Sequence, residues 1–211
     1  MSKGCDASRP RPRDRIVETA RYLFRKHGLR GIGVDAIAEA AGTNKMTLYR
    51  HFASKDDLIV ACLCEVTAEA EAMWDDFEAA HPNDPMAQLH DWVCAVAEYA
   101  IADGIGCDLA NAAAELPDPD HPARKVIEHF KTNQRDRLAK LCQAAGIVQA
   151  ELLADTLSLL IQGARVSWRS VGAEGPGARF VSISESVIAC FHNRRAEGDP
   201  ESTQPQKTTG A

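Results

Sequence analysis

The feature that most constrains this chain is the run Val34-Asp-Ala-Ile-Ala-Glu-Ala-Ala-Gly-Thr-Asn-Lys-Met-Thr-Leu-Tyr-Arg-His-Phe52. It holds two helical segments, Val34 to Ala41 and Asn44 to His51, separated only by Gly42 and Thr43. Isolated helices shorter than about 12 residues are marginal in water, so both must be held by packing against neighbours. Ala38 and Ala41 permit two helices to approach closely, Gly42 can take a left-handed conformation at the reversal, and Thr43 is placed to cap the second helix. That second helix turns Leu48 inward and presents Lys45, Met46, Tyr49, Arg50 and His51 as a polar, partly basic face. Small residues at the crossing, glycine at the turn and a face of this kind are the requirements of a helix-turn-helix.

The flanks supply the packing. A helix begins near Asp14, a good N-cap, sets Ile16, Ala20, Leu23, Phe24 and His27 on one stripe and stops at Gly28. The implied three-helix core is Ile16, Ala20, Leu23, Phe24, Val34, Ile37, Ala38, Leu48, Tyr49 and Phe52. Residues 1–13, with Gly4, Pro10 and Pro12 among basic side chains, are expected to form a disordered arm, and residues 14–55 the helix-turn-helix domain. Ser54 followed by Asp57 resembles a capping box and opens a long helix to about Ala80, broken by the His81 to Pro85 stretch. Further helices are expected near 85–103, 106–116, 122–145, 149–172 and 178–195, bounded by Gly104, Pro117 to Pro119, Gly146 and Gly172 to Gly177. No segment alternates at period two. The fold class is therefore all-α: a three-helix helix-turn-helix head, a longer helical body over 56–195, and a disordered tail expected over 196–211.

The overall charge of −6 argues against a nucleic-acid partner until its distribution is considered. Residues 1–55 carry twelve Lys or Arg against five acids, a net +7, which leaves −13 on the remainder. A basic head on an acidic body can dock on phosphates while the body stays off the duplex. No apolar run approaches about 18 residues and no short apolar segment follows a basic N-terminus, so the expectation is a cytoplasmic chain without membrane contact. Seven scattered cysteines (Cys5, Cys62, Cys64, Cys94, Cys107, Cys142, Cys190) without a CxxC pair read as free thiols.

At Arg15-Ile16, Ala20, Phe24, Gly28, Ile37-Ala38, Ala41-Gly42, Thr47-Leu48-Tyr49, His51-Phe52, Ser54-Lys55 and Leu58 the chain resembles the TetR family of transcriptional regulators. The resemblance implies phosphate contacts from Thr43, Lys45, Tyr49, His51 and Lys55, and base contacts from Lys45, Met46 and Arg50. For Lys55 there is an independent reason, since it stands at the N-terminus of the long helix, where free N–H groups and the dipole favour a phosphate. Two positions depart from the family pattern. Gly33 caps the second helix where Ser or Thr is usual, and Met46 replaces a small residue, suiting a thymine methyl. The stretch from Gly106 to Pro122 is also similar to a segment of one subgroup. The family further implies a homodimer, an inverted-repeat operator on double-stranded DNA, and repression relieved by a small-molecule effector.

A cavity in the helical body would be lined by apolar and aromatic groups with a few polar ones; Trp92, Tyr99, Cys107, Asn111 and Trp168 are the candidates. Phe180, Ile183, Val187, Ile188 and Phe191 fall at i, i+3, i+7, i+8 and i+11 and form one apolar stripe. The preceding helix adds Leu153, Leu157, Leu160, Ile161, Ala164 and Trp168, and the dimer is expected to form on this pair, with Gly163 and Ala164 at the crossing. His81, His90, His121 and His129 lack metal-ligand spacing, Glu115, Asp118, Asp120 and His121 fit a turn, and no nucleophile elbow is present. No cofactor, metal or catalytic role is therefore expected. The rival readings are a helical DNA-binding scaffold without effector and an enzyme using the body as a substrate pocket.

Overall fold

The structure, a computed structural model, describes residues 11–101 and 107–193. Residues 1–10 of the arm expected over 1–13, the tail from 196, Cys5 and the boundary at Gly104 lie outside the described residues, and Pro12 and Arg13 of that arm are helical. Helices α1 (Pro12–His27), α2 (Val34–Ala40) and α3 (Lys45–His51) form the head. The body comprises α4 (Lys55–Ala80), α5 (Pro85–Ile101), α6 (Asp108–Glu115), α7 (Pro122–Ala144), α8 (Ala150–Val171) and α9 (Phe180–Asn193). Two 3-10 turns, Gly172–Glu174 and Pro176–Arg179, connect the last two helices. There is no strand among the described residues.

Two helix starts differ from expectation for identifiable reasons. Helix α1 begins at Pro12 after Arg11, ahead of Asp14. Proline suits the first helical position because its missing N–H would be unpaired there in any case. Asp14 lies instead in the first turn, where its charge complements the helix dipole. The cap of α3 is Asn44, whose side-chain oxygen accepts from Thr47 N at 2.9 Å. Thr43 gives its backbone N–H to Ala38 O at 2.9 Å and so closes the end of α2. Gly42 takes φ +63° at the reversal, and Ser54 Oγ accepts from Asp57 N at 3.0 Å at the head of α4.

The buried apolar residues among those described form two clusters. The first joins the head residues Ile16, Ala20, Phe24, Ile37, Ala38, Leu48 and Phe52 to Leu58, Cys62 and Val66 of α4, Leu109 and Ala112 of α6, and Ala123 and Ile127 of α7. The second holds Trp74 and Phe77 of α4, Leu89 and Trp92 of α5, Leu138 and Cys142 of α7, Leu153 and Leu157 of α8, and Phe180 and Ile188 of α9. The core of the head therefore continues into α6 and the start of α7. Helix α4 runs through both clusters, and between them its residues Glu69, Ala70 and Met73 line an open space. Of the expected head core, Leu23 and Val34 are half-buried, while Tyr49 is 41% exposed because Leu48 takes the inward position on α3.

Candidate functional site

On α3 the side chains of Lys45, Met46, Tyr49, Arg50 and His51 point outward, with Met46 75% exposed, and Leu48 is fully buried. Thr43 is half-buried at the turn. Lys45 Nζ donates to Asp35 Oδ2 at 3.0 Å, and that carboxylate raises the Lys45 pKa through the hydrogen bond and its charge. Exposed pairs of this kind contribute little to stability. Lys55 stands at the start of α4 as expected, yet its ammonium donates to Ile32 O at 2.6 Å and lies 5.9 Å from the Phe24 ring centroid. It braces the loop between α1 and α2 with one of the three donors an ammonium carries.

The space between the two clusters is a cavity of about 680 Å³. Trp92, Tyr99 and Cys107 line it. Asn111 and Trp168 do not. Asn111 Oδ1 accepts from Arg169 Nη1 at 2.7 Å and belongs to a separate small cleft with Arg25 and Glu115. Trp168 lies on the side of α8 that meets the 3-10 turn, where a Cβ on Gly177 would stand 3.2 Å from Trp168 N. The face of α8 toward the cavity carries Ser158, Ile161, Gln162 and Arg165 instead. The wall is completed by Met73, Trp74, Phe130, Lys131 and Gln134, none of them anticipated. Trp74 stacks on Trp92 at 6.4 Å between ring centroids and donates Nε1–H to Gln134 Oε1 at 2.7 Å. Burial, with a smaller push from Asp108, raises the Tyr99 hydroxyl to about 12. Lys131 is held below its ordinary value mainly by burial, with like charge from Arg165 adding to it.

Helix α6 links this cavity to the head. Its cap Cys107 and second residue Leu109 are cavity wall, whereas its last residue, Glu115, accepts from Arg30 N at 3.2 Å. Arg25 of α1 pairs with Asp108 at 3.0 Å, and His121 Nε2 lies 3.4 Å from Asp56 Oδ1. A further bridge runs from Arg21 Nη1 and Nη2 to both oxygens of Glu69, at 2.5 and 2.6 Å.

The surface of α8 and α9 corrects part of the expected pairing stripe. Phe180 is 2% and Ile188 5% exposed, and Leu153, Leu157 and Ile161 are buried, all against their own chain. Val187 and Phe191 are half-buried on the same cluster. Open apolar surface lies one position away on α8, at Leu152, Leu159 and Val166, which fall at i, i+7 and i+14. Beside it runs a groove lined by Leu159, Leu160, Gly163, Ala164, Ile183 and the edge of Phe180.

Residues 16–62 match the family model of bacterial regulatory proteins of the tetR family. The chain is 29% identical over 182 residues to the HTH-type transcriptional repressor ComR of Escherichia coli, covering 77% of this chain and 83% of that one. The crystal structure of SCO4454, a TetR-family transcriptional regulator from Streptomyces coelicolor, is similar with a TM-score of 0.79 at 27% identity, covering 85% of this chain and 95% of that one. A tetR-type regulator from Streptomyces avermitilis is similar at a TM-score of 0.71 and 29% identity, covering 87% and 99% of the two chains. The chain belongs to the TetR family.

As a TetR-family protein it is all-α with the helix-turn-helix at its N-terminal end. No described helix is long and apolar enough to cross a membrane. The missed wall residues Lys131, Gln134 and Arg165 left one signal in the sequence, a polar side chain at a core-facing position of an amphipathic helix.

Proposed function

We propose that this protein is a homodimeric repressor that sits on an inverted-repeat operator and is released from it by a small organic effector. The family makes it a DNA-binding transcriptional regulator and not an enzyme. Repression is supported by the relative ComR, itself a transcriptional repressor. An effector is supported by the cavity of about 680 Å³, within the usual range of about 300–1,000 Å³ for small-molecule sites. A scaffold without effector has no use for such a space in its body.

The observation that carries the reading is the continuity of α6 between cavity and head. A ligand that displaces Cys107 and Leu109 moves Asp108 and Glu115 with them, and these hold Arg25 and the Arg30 amide. Helix α1 packs on Ile37 of α2 and Leu48 of α3, so its displacement re-aims the reading helix. The effect of ligand on DNA affinity and that of DNA on ligand affinity must be equal, typically about 1–3 kcal/mol.

The test is selection of random duplex DNA by the full chain, followed by titration of the enriched sequence. An inverted repeat with half-sites about one helical turn or a multiple apart is expected. Enrichment of single half-sites, or none, contradicts the reading. Glu115→Ala is expected to keep operator affinity while reducing ligand-driven release.

A further inference from the structure

The cavity has a charge that its apolar walls do not suggest. On α7, Ile127, Lys131, Gln134 and Leu138 fall at i, i+4, i+7 and i+11, a single stripe whose two apolar members are buried in the two clusters. Helix α8 repeats the pattern with Ala154, Ser158, Ile161 and Arg165, of which Ala154 and Ile161 are buried. Each helix thus places a cation where an amphipathic helix ordinarily places an apolar residue, and both cations line the cavity.

No carboxylate among the described residues of the wall is free to neutralise them. The one carboxylate there among the described residues is Glu69, and both its oxygens are taken by Arg21. The third cation of the wall, Arg135, is paired with Glu151 and Asp155. Lys131 and Arg165 have no carboxylate partner among the described residues, and Arg165 Nε is buried without a hydrogen-bond acceptor. The Tyr99 hydroxyl and Gln134 Nε2 are buried and unpaired as well. The orientation of Gln134 is fixed, because the Trp74 indole can only donate and so claims the amide oxygen. The cavity therefore offers unpaired donors and two positive charges beside an aromatic wall of Trp74, Trp92 and Phe130. Buried polar groups of this kind are costly unless a partner of complementary charge meets them.

We propose that the cavity binds an amphipathic organic acid, with its carboxylate between Lys131 and Arg165 and its apolar body along Trp74 and Trp92. This rests on the reading of the cavity as the effector site. A guanidinium and an ammonium together suit one carboxylate, since charge-assisted hydrogen bonds are the strong ones and Arg can engage both oxygens. An amine meets two like charges there, and an alcohol leaves both cations unpaired.

The test uses two apolar bodies, decyl and naphthylmethyl, each carried as carboxylate, alcohol and amine. Binding to the full chain without DNA is read by calorimetry and by quenching of tryptophan emission. For at least one body the carboxylate is expected to bind about ten-fold tighter than its alcohol and amine. Lys131→Met and Arg165→Met are expected each to abolish that preference, and Lys131→Arg to restore it. An amine or alcohol that binds as tightly as its acid, variants that keep the preference, or no binding by any of the six compounds overturns the proposal. The same compounds are then added to the complex with selected operator DNA. An acid that binds at Lys131 and Arg165 yet leaves DNA affinity unchanged refutes the effector reading and leaves the anion site standing. An amine that releases DNA does the reverse.

Discussion

The backbone amide of Arg30 donates to Glu115 Oε2 at 3.2 Å across 85 residues of chain, tying the end of α6 to the turn between α1 and α2. Gly28 lies against the same carboxylate, with φ +77° and room for a Cβ only 2.9 Å from Glu115 Oε2. Gly28→Ala therefore carries two penalties, a backbone at φ +77° and ψ 164° that is essentially restricted to glycine and costs about 1–3 kcal/mol, and displacement of Glu115. In a Glu115→Ala background only the first remains. Denaturant unfolding of both single variants and the double variant measures the difference. Strictly additive effects would show that Glu115 swings aside freely and braces nothing.

The reading helix separates two kinds of contact. Arg50→Ala is expected to weaken operator binding and to relax preference at one base position, because Arg50 is exposed on the outer face of α3. Lys55→Ala is expected to weaken binding evenly across sequences and to reduce the salt slope by about one unit. Since Lys55 also holds Ile32 O, that variant loses some stability of the head, which thermal unfolding detects. An Arg50 variant with unchanged base preference would make Arg50 a phosphate contact.

The head was legible because its constraints are local. Gly42, Leu48 and Ser54 each have a conformational or packing role readable from neighbours a few residues away, and each is found in it. The cap of α3 falls at Asn44, one residue after Thr43, since both are good caps and only the geometry of the turn decides between them. The cavity was half legible. Trp92 and Tyr99 stand out as large aromatics, whereas nothing local separates Lys131 and Arg165 from solvated charges until their stripe positions are compared with Ile127 and Ile161. Helix α8 is apolar on two faces, at Leu153 and Leu157 and at Leu152 and Leu159, and periodicity alone does not say which face meets its own chain.

Arg21 holds the Glu69 carboxyl below the usual carboxylate range, chiefly through their hydrogen bonds, against a smaller opposing effect of burial. A carboxylate depressed on folding contributes stability that is complete above its unfolded pKa and is lost as pH falls through the folded one. Glu69→Gln is thus expected to be less stable than the parent at neutral pH, and the gap to close as pH falls below 4.5. More than half of the Glu69 side chain is exposed, so the gap is under about 1 kcal/mol. Melting curves from neutral to acid pH check it; a gap that persists in acid would mean that Glu69 acts through packing.

The thiols divide by burial. Cys62 and Cys142 are pushed up to about 12 by their surroundings, while Cys64 and Cys190 are exposed. Only the thiolate attacks a disulfide reagent. Mass-spectrometric mapping at neutral pH should find Cys64 and Cys190 modified early and Cys62 and Cys142 protected until the protein unfolds. Rapid labelling of Cys142 in the folded chain would contradict its burial in the second cluster.

The pairing surface offers the sharpest single substitution. Val187 and Ile188 are partly or fully committed to the second cluster, so charging either damages the monomer before it tests an interface. Leu159 is 69% exposed in the isolated chain and borders the groove that contains Gly163 and Ala164. A surface leucine between Leu152 and Val166 on one open stripe is costly to leave in water, and a two-fold axis would cover the stripe with its own copy. Small residues in the groove let the facing helices approach closely. If the chains pair over this stripe, Leu159→Asp buries a charge in the dimer but leaves the monomer core untouched, so it should sediment as a monomer with an unaltered circular dichroism spectrum. Specific operator binding should fall steeply, because a single head spans one half-site and forfeits the second. Leu159→Met, which keeps volume and polarity, should remain dimeric. If Leu159→Asp sediments with the parent, the chains pair through another surface.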